Sequence, residues 1–356
     1  MPKRNHRNLE NWLALYHCFG IGPKKFQQYL QFDPGLNELP KNLKPDWIAV
    51  NKDLAWLQTT VDASIITLDD VDYPAQLKNI ADPPPLLYVQ GDVTHLSKPQ
   101  VAMVGSRNCS TYGMRQAEHF AQQLANVGIV VTSGLALGID GASHRGALRA
   151  VNGKTIAVLA HGMDIVYPPQ HKGLSEQIIA NGCLVSEYSF GIIPLPQYFP
   201  SRNRLISGLA MGVLVVEAAL NSGSLITARC AIDQGREVFA IPGMINQGKS
   251  RGCNQLIKQG AKLVENLDDI LEELGALLNS AIRDKYACNA KSGMGKKALS
   301  VKQQQLLQFI DYDSTCVDVI VENTGLASSA VGAMLLELEL QGVITAVPGG
   351  YARKLD

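Results

Sequence analysis

Two aromatic rings and two guanidinium groups stand close together in the stretch YFPSRNR, residues 198–204. Tyr198 and Phe199 precede a proline, and Arg202 and Arg204 follow as the apolar spacing of a helix begins. Arginine offers a planar fork of N–H donors that matches a phosphate, and an aromatic ring offers a flat face on which a base can stack. The stretch therefore has the chemistry of a site for a nucleotide chain.

Loops rich in glycine and hydroxyl residues follow five predicted strands. Glycine lets the backbone come close to a ligand, and a helix that begins in such a loop offers free N–H groups. Because strand ends of an open parallel sheet meet at one edge, we predict an anion-binding edge there. Each serine taken alone is more typical of a helix cap. The loops read GSRNCSTYG (105–113), SGLALGIDGASH (133–144), AHGMDIVYPPQHKG (160–173), SEYSFG (186–191) and EAALNSGSLITAR (217–229).

The first of these loops points to a polyanion rather than to a dinucleotide. Gly105 is followed by Ser106 and Arg107, so the G-x-G-x-x-G fingerprint is absent, and no G-x-x-x-x-G-K-[ST] motif occurs anywhere. Arg107 beside a helix start would clamp a phosphate with two hydrogen bonds. Together with the arginines and rings of the first stretch, it would form the cationic track and stacking faces that single-stranded nucleic acid requires.

Other interpretations of these residues stay open at this stage. The two arginines of the first stretch can equally pair with Glu187 or Glu217 while the rings fill the core. Asp140 and His144 are spaced four residues apart, as on one helix face, and could form a metal or acid/base pair. No third metal ligand is visible, so we interpret Asp140 as a helix-start residue and His144 as a packing or hydrogen-bonding residue. Lys172 is a further candidate for binding a phosphate; alternatively, its side chain is only solvated.

The middle of the chain predicts an α/β domain of the Rossmann-like, doubly wound type with a mostly parallel sheet. Apolar runs of strand length alternate with helical stretches that end at glycine, as expected for a parallel sheet covered on both faces. The predicted strands are VAMVGS, IVVTSG, TIAVLA, CLVSEY, VLVVEA and VFAIPG.

The two ends of the chain differ from the middle. Residues up to about 80 resemble short helices, with a GIGP turn at 20–23 typical of a helix-hairpin-helix or SAM-like unit. That turn can hold a DNA phosphate with Lys24 and Lys25, or it is a plain helix corner. The last block predicts three helices and a hairpin around Pro348, typical of a winged helix. The predicted parts are a helical domain at 1–72, a Rossmann-like domain at 73–280, a linker at 281–300 and a winged helix at 301–356.

The distribution of charged, cysteine and apolar residues limits the class of protein to which the chain can belong. The chain of 356 residues has equal numbers of basic and acidic residues, 32 each, so overall charge identifies no partner. Residues 191–262 carry eight basic and three acidic residues, whereas residues 300–356 carry three and seven. The seven cysteines form no C-x-x-C pair, which indicates a reduced, cytoplasmic protein without a zinc site. No long apolar run or signal segment predicts a membrane span.

The sequence resembles a known family over much of its length. Ordered motifs between about residues 73 and 268 are similar to those of the DNA-processing protein A (DprA/Smf) family. The two flanking regions match the architecture of that family in type. The motifs are VGSRNCSTYG, SGLALGIDGASHRGAL, HGMDIVYPPQHKGL, SEY, FPSRNRLISGLA and NSGSLITARCAIDQGREVFAIPG.

The resemblance implies a cytoplasmic homodimer that binds single-stranded DNA, protects incoming strands in natural transformation and loads the RecA recombinase. It implies no catalytic activity and no cofactor or metal. The acidic winged helix would serve a protein contact or regulation. The site residues that it implies, together with our rim candidates, are Gly105, Ser106, Arg107, Ser133, Gly134, Lys172, Phe199, Arg202, Asn203 and Arg204.

An enzyme is the alternative hypothesis. Nucleoside-monophosphate phosphoribohydrolases of the Rossmann type use an acid near a glycine-rich phosphate loop, and Glu217 with NSGSLIT would fill these roles here. Their P-G-G-x-G-T signature is absent, and Arg107 and Phe199 would have no role in such a site.

Overall fold

The computed structural model describes residues 8–40, 42–275, 278 and 300–353. The predicted linker at 281–300 lies outside the described residues except for Ser300. The helices are α1 (Leu9–Tyr16), α2 (Pro23–Phe32), α3 (Trp47–Thr59), α4 (Ala75–Lys78), α5 (Thr111–Asn126), α6 (Ile139–Arg149), α7 (Lys172–Asn181), α8 (Tyr198–Leu209), α9 (Ser224–Asp233), α10 (Arg251–Lys258), α11 (Leu267–Leu274), α12 (Val301–Leu307), α13 (Val317–Thr324) and α14 (Ser328–Leu340).

A nine-stranded sheet forms the middle of the molecule, in the order β1-β2-β6-β5-β4-β3-β7-β8-β9. All neighbours from β6 to β9 in this order pair in parallel, and β2 pairs antiparallel with both β1 and β6. The Rossmann-like, mostly parallel prediction and its six strands are therefore confirmed. The strands are β1 (Ala63–Thr67), β2 (Leu86–Gly91), β3 (Gln100–Gly105), β4 (Val130–Ser133), β5 (Thr155–Val158), β6 (Cys183–Ser186), β7 (Gly212–Glu217), β8 (Glu237–Ala240) and β9 (Lys262–Leu263).

Helices cover both faces of the sheet because the central strands are apolar on both sides. Along β3, Ala102 and Val104 pack into the core beneath α8, α9 and α10. Val101 and Met103 point the other way, into the core beneath α5, α6 and α11. This alternation is the period-two geometry of a strand buried on both faces, and it fixes where each following loop leaves the sheet.

The N-terminal helices are attached to the antiparallel end of the sheet. Predicting only short helices up to residue 80 was wrong at Ala63–Thr67, which pairs with β2. That strand is short and lies at the sheet edge. Backbone pairing with β2 therefore determines its extended conformation more than the hydrophobic pattern of its residues does. Below it, the carboxylate of Asp53 is completely buried and accepts a hydrogen bond of 2.5 Å from the Tyr88 hydroxyl. His17 Nε2 lies 2.7 Å from the same carboxylate oxygen, so one buried acid joins α1, α3 and β2.

The C-terminal block is a winged helix, as predicted. Helices α12 to α14 enclose their own apolar core, and β10 (Ile344–Val347) pairs antiparallel with β11 (Gly350–Arg353). Within the described ranges, no single helix is long and apolar enough to cross a membrane, although α13 and α14, bent by 115°, pass that test together on length and composition. The exact division of the chain into domains stays a prediction.

Candidate nucleic-acid interface

A cavity of about 200 Å³ opens where the order of the sheet reverses. Strand β3 pairs with β4 on one side and with β7 on the other, so the loops after β3 and β7 leave in opposite directions. Crevices at such reversal points are where open α/β sheets bind ligands. The lining residues are Val104, Gly105, Arg107, Ala136, Asp140, Phe199, Pro200, Arg202, Asn203, Ile206, Ser222, Gly223, Ser224, Ile226 and Thr227.

Arg107 and Phe199 meet at the mouth of this cavity. The guanidinium carbon of Arg107 lies 4.9 Å from the centroid of the Phe199 ring, although Arg107 is in the loop after β3 and Phe199 is in the first turn of α8. Arg107 is exposed and Phe199 is half-exposed. The arrangement places a cation and a flat ring side by side, where a phosphate and its base can be bound together.

Tyr167 extends the aromatic surface, although we did not predict it as a site residue. Its ring centroid lies 5.9 Å from that of Phe199, and 40% of the residue is exposed. The signal was present, because Tyr167 stands in the predicted strand-end loop at 160–173. That loop was predicted to lie at the binding edge of the sheet, but no ring in it was predicted to stack on a base.

The loop that carries Arg107 is held firmly from beneath. The backbone N–H of Ser106 donates to the carbonyl of Glu217, at 2.8 Å, and the carbonyl of Ser106 accepts from Ile139 N, at 3.2 Å. Gly138 has a φ of +79°, and a Cβ at this position would collide with the carbonyl oxygens of Ser106 and Arg107. A glycine is therefore required for α6 to begin directly against this loop.

Arg202 lies in the wall of the cavity instead of on an open track. Only 3% of the residue is exposed, and Nη1 donates to the carbonyls of Gly134, at 2.8 Å, and Val158. A Cβ at position 134 would come within 2.6 Å of this guanidinium, so Gly134 makes room for it. Burial lowers the pKa of Arg202 to about 10, which leaves it charged at neutral pH.

Asp140 is the acidic counterpart of this buried cation. Burial raises the pKa of its carboxyl, while the nearby charge of Arg202 acts in the opposite direction. Asp140 lies in the first turn of α6, the position we predicted for it, and accepts a hydrogen bond of 3.3 Å from Ala136 N in the loop before that helix. Arg202 and Asp140 are thus both buried in the wall of the cavity, and Arg107 is the exposed cation among its lining residues.

Two other predicted site residues have buried side chains. The Ser133 hydroxyl is fully buried and donates to the Met103 carbonyl, at 2.6 Å, so our prediction that it reaches the rim is wrong. The reason is that Ser133 is the last residue of β4, and its hydroxyl is directed at the neighbouring strand β3, which contains Met103. Asn203 is 9% exposed; it lines the cavity and donates to the Gly223 carbonyl, at 3.4 Å.

Lys172 and Arg204 lie away from the cavity. Lys172 is exposed at the first position of α7, on the same edge of the sheet, but it does not line the cavity. Arg204 turns to the other side of α8, where Nη2 donates to Glu187, at 2.6 Å, and Nε lies 3.5 Å from Asp82. The alternative that these arginines pair with Glu187 or Glu217 is therefore correct for Arg204, which pairs with Glu187. It is wrong for Arg202, which donates to backbone carbonyls instead.

Glu217, the acid of the enzyme alternative, is buried and engaged with a helix start. Its carboxylate accepts from the backbone N–H of Ser110, at 3.0 Å, and from the Ser110 hydroxyl. Ser110 in turn caps α5 through Gly113 N, at 2.9 Å. A carboxylate held in this way faces the α5 terminus and is not among the residues that line the cavity described above.

His144 has a structural environment, as we interpreted it. The ring is fully buried, and Nδ1 lies 2.7 Å from the Thr155 hydroxyl, which itself donates to the Val131 carbonyl. Burial lowers the pKa of His144 to about 3. Across the part of the chain that the structure describes, no group of three or more His, Cys, Asp or Glu residues has the arrangement of a metal site.

Comparison with known protein families gives two matches. The model described as DNA recombination-mediator protein A matches residues 64–275, more than half of the chain. The model described as the DprA winged helix domain matches residues 291–350.

Individual relatives agree with these matches. Protein Smf of Escherichia coli K12 is 45% identical over 306 residues, which cover 86% of this chain and 81% of that protein. DNA processing protein DprA of Streptococcus pneumoniae is 49% identical over 210 residues, or 59% of this chain and 73% of that protein.

Solved structures show the same likeness. The X-ray structure of the Streptococcus pneumoniae protein matches with a TM-score of 0.66 at 37% identity and covers 75% of this chain and 97% of its own. A structure of DNA processing protein A from Helicobacter pylori, reported for its single-stranded DNA binding mode, matches with a TM-score of 0.54 at 32% identity, covering 61% and 98%. With this fold, these motifs and these matches, the chain belongs to the DNA-processing protein A (DprA/Smf) family.

Proposed function

We propose that this protein binds single-stranded DNA at the cavity where the sheet order reverses. The observation that carries the proposal is the exposed guanidinium of Arg107 placed 4.9 Å above the half-exposed ring of Phe199. A duplex hides its bases inside the stack, whereas a single strand offers a phosphate and an unstacked base together. The related protein from Helicobacter pylori, described by its single-stranded DNA binding mode, supports this choice of ligand.

The proposed contacts divide into two kinds. Arg107 and Lys172 pair with phosphates, and Phe199 stacks on a base. The backbone at Gly105 and Ser106 approaches the strand closely, because the loop is held in place from beneath. Gly134 makes room for Arg202, Arg202 and Asn203 shape the wall beside the strand, and Arg204 meets the strand from the far side of α8.

The wider role that we propose is that of a recombination mediator. As a cytoplasmic homodimer, the protein would protect incoming single strands during natural transformation and load the RecA recombinase onto them. The family description as a DNA recombination-mediator protein supports this role, as does the basic character of residues 191–262. The proposal includes no catalytic step and no cofactor.

Strand binding is tested by fluorescence anisotropy with a labelled oligothymidine and with a duplex of equal length. Wild type should prefer the single strand, and Arg107→Ala should weaken that binding by more than tenfold. The control is Lys258→Ala, which removes one exposed positive charge at the end of α10, at a residue that does not line the cavity. Equal affinity for both DNA forms, or equal effects of the two variants, would contradict the proposal.

The recombinase step is tested separately. RecA is added to single strands already coated with a single-strand-binding protein, and the onset of its ATP hydrolysis is followed with and without this protein. We expect a shorter lag with wild type and no shortening with Arg107→Ala. An unchanged lag with wild type would remove the loading role and leave strand binding as a separate question.

A further inference from the structure

A second cavity, of about 670 Å³, lies on the opposite side of α8 from the first. It is lined by the N-terminal helices, by the segment before β2 and by the loop after β6. Its volume falls in the range of natural small-ligand sites. The lining residues are Tyr16, His17, Ile21, Gly22, Phe26, Asp82, Pro85, Glu187, Tyr188, Ser189, Ile192, Tyr198, Ser201 and Arg204.

Helix α8 forms a shared wall between the two cavities. Residues Tyr198, Ser201 and Arg204 follow one another at intervals of three and line the second cavity. Phe199 and Arg202 line the first. Because successive helix residues are rotated by about 100°, neighbouring positions must face different sides. The rings of Tyr198 and Phe199 are therefore adjacent in the chain but open into two adjacent cavities.

An aromatic pair stands on the α8 side of the second cavity. The ring centroids of Tyr188 and Tyr198 lie 4.7 Å apart with a tilt of 41°, and both residues are half-exposed. The Tyr188 hydroxyl donates to the Tyr198 carbonyl, at 3.4 Å. The opposite wall contains Ile21 and Phe26 from the N-terminal hairpin, which is α1, the turn at 17–22 and α2. A flat ligand that enters here meets ring faces and apolar side chains.

The charged groups of the second cavity favour a base over a phosphate. Glu187 and Asp82 both pair with the single cation Arg204, which leaves these three groups with a net charge of −1. Glu187 Oε1 and Arg204 Nη1 are buried and have no hydrogen-bond partner in the protein. These two atoms are one unused acceptor and one unused donor on residues that line the cavity, and the edge of a nucleobase carries both kinds of group.

We propose that the second cavity is a nucleobase subsite that receives a base of the same single strand that stacks on Phe199. The inference rests on the proposed function, since the first cavity must hold the strand. The strand crosses the start of α8, its phosphates stay outside near Arg107, and the next accessible base inserts between Tyr198 and the N-terminal hairpin. The helical unit thereby becomes part of the DNA site.

Photo-crosslinking tests the subsite without requiring a fixed register of the strand. An oligothymidine that contains 5-iodouracil is irradiated with the full-length protein, and the modified residues are identified by mass spectrometry. We expect adducts at Tyr188 or Tyr198 in addition to Phe199. Adducts confined to Phe199 and Tyr167 would overturn the subsite while leaving the proposed function intact, and a protein that binds no strand would refute the proposed function itself.

A pair of variants gives an independent measurement. Tyr188→Leu keeps an apolar side chain but removes the platform, and it should weaken binding of a long oligothymidine about five- to a hundredfold, the range for one stacked base. A short oligothymidine that fills only the first cavity should bind unchanged. The control, Tyr29→Leu, changes a half-buried tyrosine of α2 that does not line the cavity. Equal losses for both oligonucleotides, or for both variants, would argue for a structural role alone.

Discussion

The contact between Arg107 and Phe199 permits a quantitative test of how the first cavity holds a strand. Phe199→Ala removes a stacking face, which should cost about 1–3 kcal/mol and leave the salt dependence of binding unchanged. Arg107→Ala removes one phosphate contact and should lower the slope of log affinity against log salt by about 0.7. The two variants should therefore separate stacking from charge.

The contact between Arg107 and Phe199 also predicts that the losses of binding free energy in the two variants are not additive. The guanidinium carbon lies 4.9 Å from the ring centroid, so each side chain holds the other in place. A cation–π contact at an exposed site is worth about 0.5–1 kcal/mol. The double variant should consequently lose about 0.5–1 kcal/mol less than the sum of the single losses.

Anisotropy titrations of wild type, both single variants and the double variant over a range of salt concentrations provide these numbers. Thermal unfolding of each variant should stay close to that of wild type, because both side chains lie at the surface. Strictly additive losses would refute the coupling. A salt slope that falls in Phe199→Ala as much as in Arg107→Ala would refute the division of roles.

Two further predictions concern the folded state. Gly134→Ala places a Cβ within 2.6 Å of the Arg202 guanidinium and should destabilise the protein by about 1–3 kcal/mol, seen as a lower Tm, whereas Gly173→Ala, with nothing within 4 Å, should leave Tm unchanged or raise it. His144 has a pKa of about 3 when folded and 6.5 when free, so its contribution to stability is complete above pH 6.5 and is lost as the pH falls towards 3. At pH 5 the loss should reach about 2 kcal/mol, measured by urea unfolding, and His144→Asn should lack it.

These two predictions have clear contrary outcomes. An unchanged Tm in Gly134→Ala would mean that Arg202 can leave its pocket at no cost. A pH dependence of His144→Asn that matches wild type would assign the acid sensitivity to other groups, among which His95 and His161 also have pKa values lowered by burial.

The sheet and its loops were predictable because their signals are local. Each central strand is a continuous apolar run that ends in a glycine-rich loop, and parallel strands bring such loops to one edge. Strand β1 was missed because it is short and marginal, and pairing with β2 decides its conformation. The predicted grouping of Arg107 with the stretch at 198–204 followed from the same edge rule.

The direction of individual side chains was not predictable from spacing. Arg202 and Arg204 are two positions apart on one helix, which rotates them by about 200° and sends them into different cavities. Ser133 is the last residue of β4, and its hydroxyl bonds to the neighbouring strand instead of turning to the loop. Such outcomes depend on where an element begins or ends to within one residue, which the sequence pattern does not specify.

The hydrogen bonds between Glu217 and Ser110 have a consequence for which molecules can compete at this edge of the sheet. The amino end of α5 attracts negative charge, and the carboxylate that meets it belongs to the chain itself. A tethered group acts at an effective concentration that dissolved metabolites must exceed in order to displace it. A free nucleotide phosphate therefore finds the amino end of α5 already occupied by Glu217, which leaves the neighbouring cavity with Arg107 as the place at this edge where a phosphate can bind.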